Sequence, residues 1–142
     1  MQIADRIRAD VTAAMKAGER ERAAALRLVL SELQKDEKEG AGDELAVLRR
    51  ERKKRREAEE AYRAAGREEQ AAAEAAEAAE IEAYLPSELS DAELSVLVAD
   101  AMTATGASSP RDMGRVIKQV MEAAGGRADG KRVSTKVKEA LN

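Results

Sequence analysis

Apolar residues recur at helical spacing from one end of the chain to the other. Over residues 2–17, Ile3, Ile7, Val11, Ala14 and Met15 mark one buried side, and Gly18 is a stop. A second helix is predicted from about Glu19 to Glu39, with Leu26, Val29, Leu30 and Leu33 inward, before Gly40 and Gly42 break it. Asp43 caps a third, in which Leu45 and Leu48 lead toward Ala58, Ala61, Tyr62 and Ala65. An alanine-rich helix follows Gly66 and should end at about Tyr84, because Pro86 disfavours helical backbone in the residue before it.

Beyond Pro86 the pattern predicts three shorter helices. Ser90-Asp91-Ala92-Glu93 is a capping box, and Leu94, Leu97, Val98, Ala101 and Met102 form the inner face behind it. Thr105 to Ser108 reads as a turn. Ser109 is then an N-cap, Pro110 fits the first helical position, and Asp112 puts negative charge in the first turn. Met113, Val116, Ile117, Val120 and Met121 face inward, and Gly125 and Gly126 close the helix. Gly114 sits inside it, where glycine costs ~1 kcal/mol relative to alanine, so a close backbone approach is expected there. Asp129 caps a last helix in which Val133, Val137 and Leu141 repeat every four residues. The expected fold is all-α: a long-helix half, residues 1–85, of about four helices, and a compact three-helix domain, residues 86–142.

Composition narrows the chemistry. The 142 residues contain no cysteine, histidine, phenylalanine or tryptophan, and 37% are charged. Cysteine nucleophiles, Ser-His-Asp machinery, disulfides and the common N/S zinc sites are thereby excluded. No glycine loop for ATP, no caging loop for a metal and no nucleophile with its base can be read. Catalytic residues, a metal and a cofactor are therefore not expected. With no apolar leader and no long apolar run, the expectation is a cytoplasmic protein without a membrane partner. The net charge of −3 argues against indiscriminate nucleic-acid binding.

Charge is nonetheless strongly segregated. Arg49 to Arg56 holds seven cations and one acid, whereas Glu68, Glu69, Glu74, Glu77, Glu80 and Glu82 crowd the next helix. The run is either a patch for RNA or an anionic membrane, or one half of a charged hairpin folded back on the acidic helix; the second reading is favoured. Residues 105–142 carry eight bases against four acids. Arg111, Arg115 and Lys118 share a helix face with Glu122, and Arg127, Lys131, Arg132 and Lys136 surround or follow the glycine turn. These cations are the candidates for phosphate contact.

The segments EIEAYLPSELSDAEL, TGASSPRDMGRVIKQVM and GGRADGKRVSTKVKEAL resemble the YqeY-like family of small bacterial helical proteins. The likeness is most specific at Pro86, at Asp112, Met113 and Gly114, and at Gly126, Asp129 and Gly130. The family's C-terminal half is similar to the tail of the B subunit of the glutamine-dependent aminoacyl-tRNA amidotransferase. That resemblance implies a tRNA-contacting module, with tRNA or another structured RNA as partner. It also carries the label of a carbon–nitrogen ligase with glutamine as amido donor, for which the chain supplies no catalytic residues. The alternative is a protein-interaction module that docks on a larger enzyme or on the translation machinery.

Overall fold

The computed structural model describes residues 2–142. Among them are seven α-helices, one 3-10 turn and no strand. The chain divides into two compact units, Met1–Leu85 and Pro86–Asn142.

The first unit contains α1 (Gln2–Lys16), α2 (Arg20–Glu39), α3 (Glu44–Ala64) and α4 (Glu68–Glu82). α1 packs along α2, and α3 along α4, with α2 touching both members of the second pair. Ile7, Val11, Leu26, Val29, Leu33, Val47, Leu48 and Ile81 fill the core. Ala71 and Ala78 are fully buried on α4, and their small side chains let helices approach closely. Two polar contacts tie distant segments to α1. The Glu44 carboxylate accepts from the backbone N–H groups of Ile3 at 3.2 Å and Ala4 at 2.9 Å, satisfying donors that a helix start leaves open. The Tyr84 hydroxyl donates to Asp10, and the Arg6 guanidinium lies 5.1 Å from the Tyr84 ring centre.

Three expected inward residues are exposed. Met15 is 55% exposed, and its Sδ accepts from Arg27 at 2.7 Å. Along α3 the apolar seam stops early: Ala61 and Ala65 are exposed, and the buried residue after Leu48 is Glu51. Beyond Leu48 this helix carries too few large apolar groups for burial to continue, so ion pairs with α4 hold its second half.

The second unit comprises α5 (Asp91–Thr105), a 3-10 turn (Pro110–Asp112), α6 (Met113–Ala124) and α7 (Gly130–Leu141). Leu94, Val98, Val116, Val120, Val133 and Val137 are its central residues. The capping box is present: Ser90 Oγ accepts from Glu93 N at 3.1 Å, and the Glu93 carboxylate accepts from Ser90 N at 3.0 Å. Asp129 caps α7 by accepting from Arg132 N at 2.8 Å. One boundary differs from expectation. Residues 110–112 form a 3-10 turn, and the α-helix starts at Met113. Asp112 accepts from the N–H groups of Ser108 at 3.0 Å and Ser109 at 3.3 Å. Asp112 N in turn donates to Ser109 O at 3.0 Å, which draws the chain into the tighter winding.

Candidate nucleic-acid interface

The turn between α6 and α7 fixes most of the candidate cations. Gly125 and Gly126 both have left-handed backbone, φ 56° and 81°, a conformation that disfavours other residues. They reverse the chain so that Arg127 meets the segment before α5: Leu89 N donates to Arg127 O at 2.7 Å, and Arg127 Nε donates to Ser87 O at 2.8 Å. Arg132 binds the same segment from the first turn of α7. Its guanidinium reaches Glu88 at 3.1 Å, the carbonyl of Leu89 at 2.9 Å and Asp91 at 3.1 Å. Thus Arg127 and Arg132 clamp residues 87–91 onto the glycine turn.

Arg115 is similarly occupied. It pairs with Asp112 at 2.5 Å and donates to Thr105 O at 3.3 Å, stapling the end of α5 to the start of α6. Hydrogen bonds from the Ser108 backbone, then Arg115, hold the Asp112 carboxyl below its usual range. Lys136 lies elsewhere: half-buried, it borders a groove with Ser95, Val98 and Met102 between α5 and α7.

The seven candidates differ in how they are engaged. Arg115, Arg127 and Arg132 have protein acceptors, Lys136 lies in the groove, and Arg111, Lys118 and Lys131 are exposed with no ion pair among the described residues. Lys138, which was not a candidate, joins the exposed group: it lies seven residues after Lys131, two helical turns along α7. Its i, i+7 relation to Lys131 was the signal that could have found it.

The remaining motif residues are placed by turn geometry. Met113 is half-buried against the core, and Pro86 is exposed at the start of the unit. Gly130 is the first residue of α7, with open space where a side chain would begin. Gly114 corrects an expectation. It is exposed, and a Cβ there would meet no atom within 4 Å, so no backbone approaches it.

In the other unit two cations of the basic run, Arg55 and Arg56, are engaged with α4. Arg55 pairs with Glu77 at 3.2 Å and Glu74 at 3.6 Å, while Arg56 pairs with Glu82 at 2.8 Å and Glu59 at 2.9 Å. Arg63 pairs with Glu59 at 2.6 Å and Glu68 at 3.3 Å. Arg63 and then Arg56 hold the Glu59 carboxyl below its usual range. Cations held this way offer less charge to an external phosphate.

Among the described residues, no group of three or more acidic side chains is disposed to hold a metal, and no helix is long and apolar enough to cross a membrane. A family model described as Yqey-like protein matches residues 4–141. No curated protein matches the chain.

Proposed function

The chain belongs to the YqeY-like family, and from that premise we propose that it is a non-catalytic helical module that binds structured RNA, tRNA first, through its C-terminal unit. The observation that carries the reading is the set of exposed cations without internal partners: Arg111 on the 3-10 turn, Lys118 on α6, and Lys131 and Lys138 on α7. The resemblance of this half to the amidotransferase B-subunit tail supports tRNA as the partner. Without Phe or Trp, base stacking contributes little, so recognition rests on phosphate contacts and RNA shape.

The test is binding of bulk tRNA to the full chain, by fluorescence anisotropy across a salt series. Each neutralised phosphate adds roughly 0.9 to the slope of log affinity against log salt on a duplex. Changing Arg111, Lys118, Lys131 and Lys138 together to glutamine should flatten the slope by roughly three to four units if all four meet phosphate. The triple change of Arg52, Lys53 and Arg56 to glutamine should leave the slope near wild type, because Arg56 is held by Glu59 and Glu82. Loss of binding in that control alone would place the RNA surface on α3. No binding by wild type at low salt would refute the RNA reading.

A further inference from the structure

A cleft of about 260 Å³ opens in the first unit among α2, α3 and α4. The apolar part of its lining includes Leu28, Val29 and Ile81, and Leu28 is 61% exposed. Glu51, the single acid within the basic run, also lines it. This carboxylate is only 7% exposed. Its Oε2 has no hydrogen bond, although Lys54 Nζ stands 3.1 Å away. Buried charges are ordinarily both paired and hydrogen-bonded, so Glu51 is only half provided for. Lys54 itself is 53% exposed, on a flexible stem that can swing into water.

We propose that this cleft is a docking site for an arginine side chain flanked by aliphatic residues, presented by a partner polypeptide, with Lys54 as the internal group that it displaces. Charge and shape agree on that occupant. Glu32, Glu51, Glu77 and Glu80 line the cleft against Lys54 and Arg55, an acidic excess that repels nucleic acid and attracts a cation. Arg55 is committed to Glu74 and Glu77, and Glu80 to Arg22 at 3.0 Å, which leaves Glu32 and Glu51; of these Glu51 is the buried one and gains more from a new donor. The three methylenes of an arginine can lie on Leu28, Val29 and Ile81, while the planar fork supplies the hydrogen bonds that Glu51 lacks. The site lies in the unit that carries none of the cations assigned to RNA, so it stands or fails separately from the reading above.

The experiment titrates the ¹⁵N-labelled full chain with an acetyl-Leu-Arg-Leu amide peptide and follows amide shifts. The matching acetyl-Leu-Glu-Leu amide is the second probe. Shifts should appear at Ala25, Leu28, Glu51 and Ile81 with the arginine peptide and be absent with the glutamate peptide. Lys54→Met, which uncovers the carboxylate, should tighten binding at least threefold. Lys53→Met removes the same charge from the neighbouring position, which pairs at 4.0 Å with Glu57, and should change affinity less than twofold. Glu51→Gln should abolish the localised shifts. Leu28→Lys alters a residue already in solvent, replaces the aliphatic contact with a like charge and should do the same. Shifts scattered over the surface, an equal response to both peptides, or equal gains from Lys53→Met and Lys54→Met would overturn the proposal.

Discussion

Replacing Arg132 by glutamine should destabilise the C-terminal unit, whereas the same change at Lys131 should not. The Arg132 guanidinium makes one bond to the partly buried Leu89 carbonyl and two ion pairs, to Glu88 and Asp91. A hydrogen bond to a charged group contributes ~1.5–3 kcal/mol, and exposed pairs ~0.2–1 kcal/mol each. Glu88 and Asp91 are well exposed, so the carbonyl bond dominates, and the sum expected is ~2–3 kcal/mol. Native-state hydrogen exchange reads each unit separately in the full chain. The Val133 and Val137 amides should exchange roughly 30- to 100-fold faster in Arg132→Gln, since ~1.4 kcal/mol corresponds to tenfold. Amides of Leu26 and Leu48 in the other unit should not change. Most of the effect should survive 0.5 M salt, because screening weakens the exposed pairs far more than the carbonyl bond. If Lys131→Gln accelerates exchange equally, or Arg132→Gln leaves it unchanged, the clamp does not hold the unit together.

Gly114→Ala should raise stability in urea unfolding by at most ~1 kcal/mol, because the position is exposed in the first turn of α6 with no neighbour to clash and glycine is a poor helix former. Asp112 and Glu93 have carboxyl pKa values below their ordinary 3.8 and 4.5, each through backbone N–H donors first. Their contribution is full above those values and is lost as pH falls through the depressed ones. Asp112→Asn should therefore make the C-terminal unit's stability less dependent on pH below about 4, as acid titration of its unfolding would show. Tyr84 is pushed above its usual 10.0 by burial first and the bond to Asp10 second. In a Tyr62→Phe protein, absorbance titration should find Tyr84 ionising above pH 10, returning toward 10 in urea, with stability lost as pH rises past 10.

Helical periodicity made the fold legible, since residues that recur at 3.6 spacing bury together whatever their tertiary partners. The capping motifs at Ser90, Asp43 and Asp129 likewise act within four residues and could be read directly. Contacts across forty positions could not. Nothing near Arg132 in sequence announces Glu88, and nothing near Glu44 announces the start of α1. Pattern reading also put Gly114 in a crowded place, because a helix-interior glycine costs stability and invites a packing explanation; the exposed position shows that none is required. Glu51 was visible as one acid among seven cations, but its burial depends on α2 and α4 arriving over it. The candidate site was legible as a charge excess; which of its cations carry internal partners was not.

Residue type explains much of how that excess is divided, with Arg111 the one arginine in the exposed group and Lys136 the one lysine in a groove. Arg115, Arg127 and Arg132 each bind a backbone carbonyl, of Thr105, Ser87 and Leu89, while approaching a carboxylate with another nitrogen. A planar guanidinium has five donors and can close a loop and pair a charge at once. An ammonium is a compact, strongly hydrated charge and lacks that fork. Lys118, Lys131 and Lys138, exposed and without ion pairs, are the residues this division leaves in water. Arg132→Lys tests whether geometry or charge holds the loop, because it keeps the charge and removes the fork. If geometry decides, Val133 and Val137 in Arg132→Lys should exchange nearly as fast as in Arg132→Gln, by roughly tenfold or more over wild type. If charge decides, exchange should stay within about twofold of wild type, and the division of labour between the two cations would have to be abandoned.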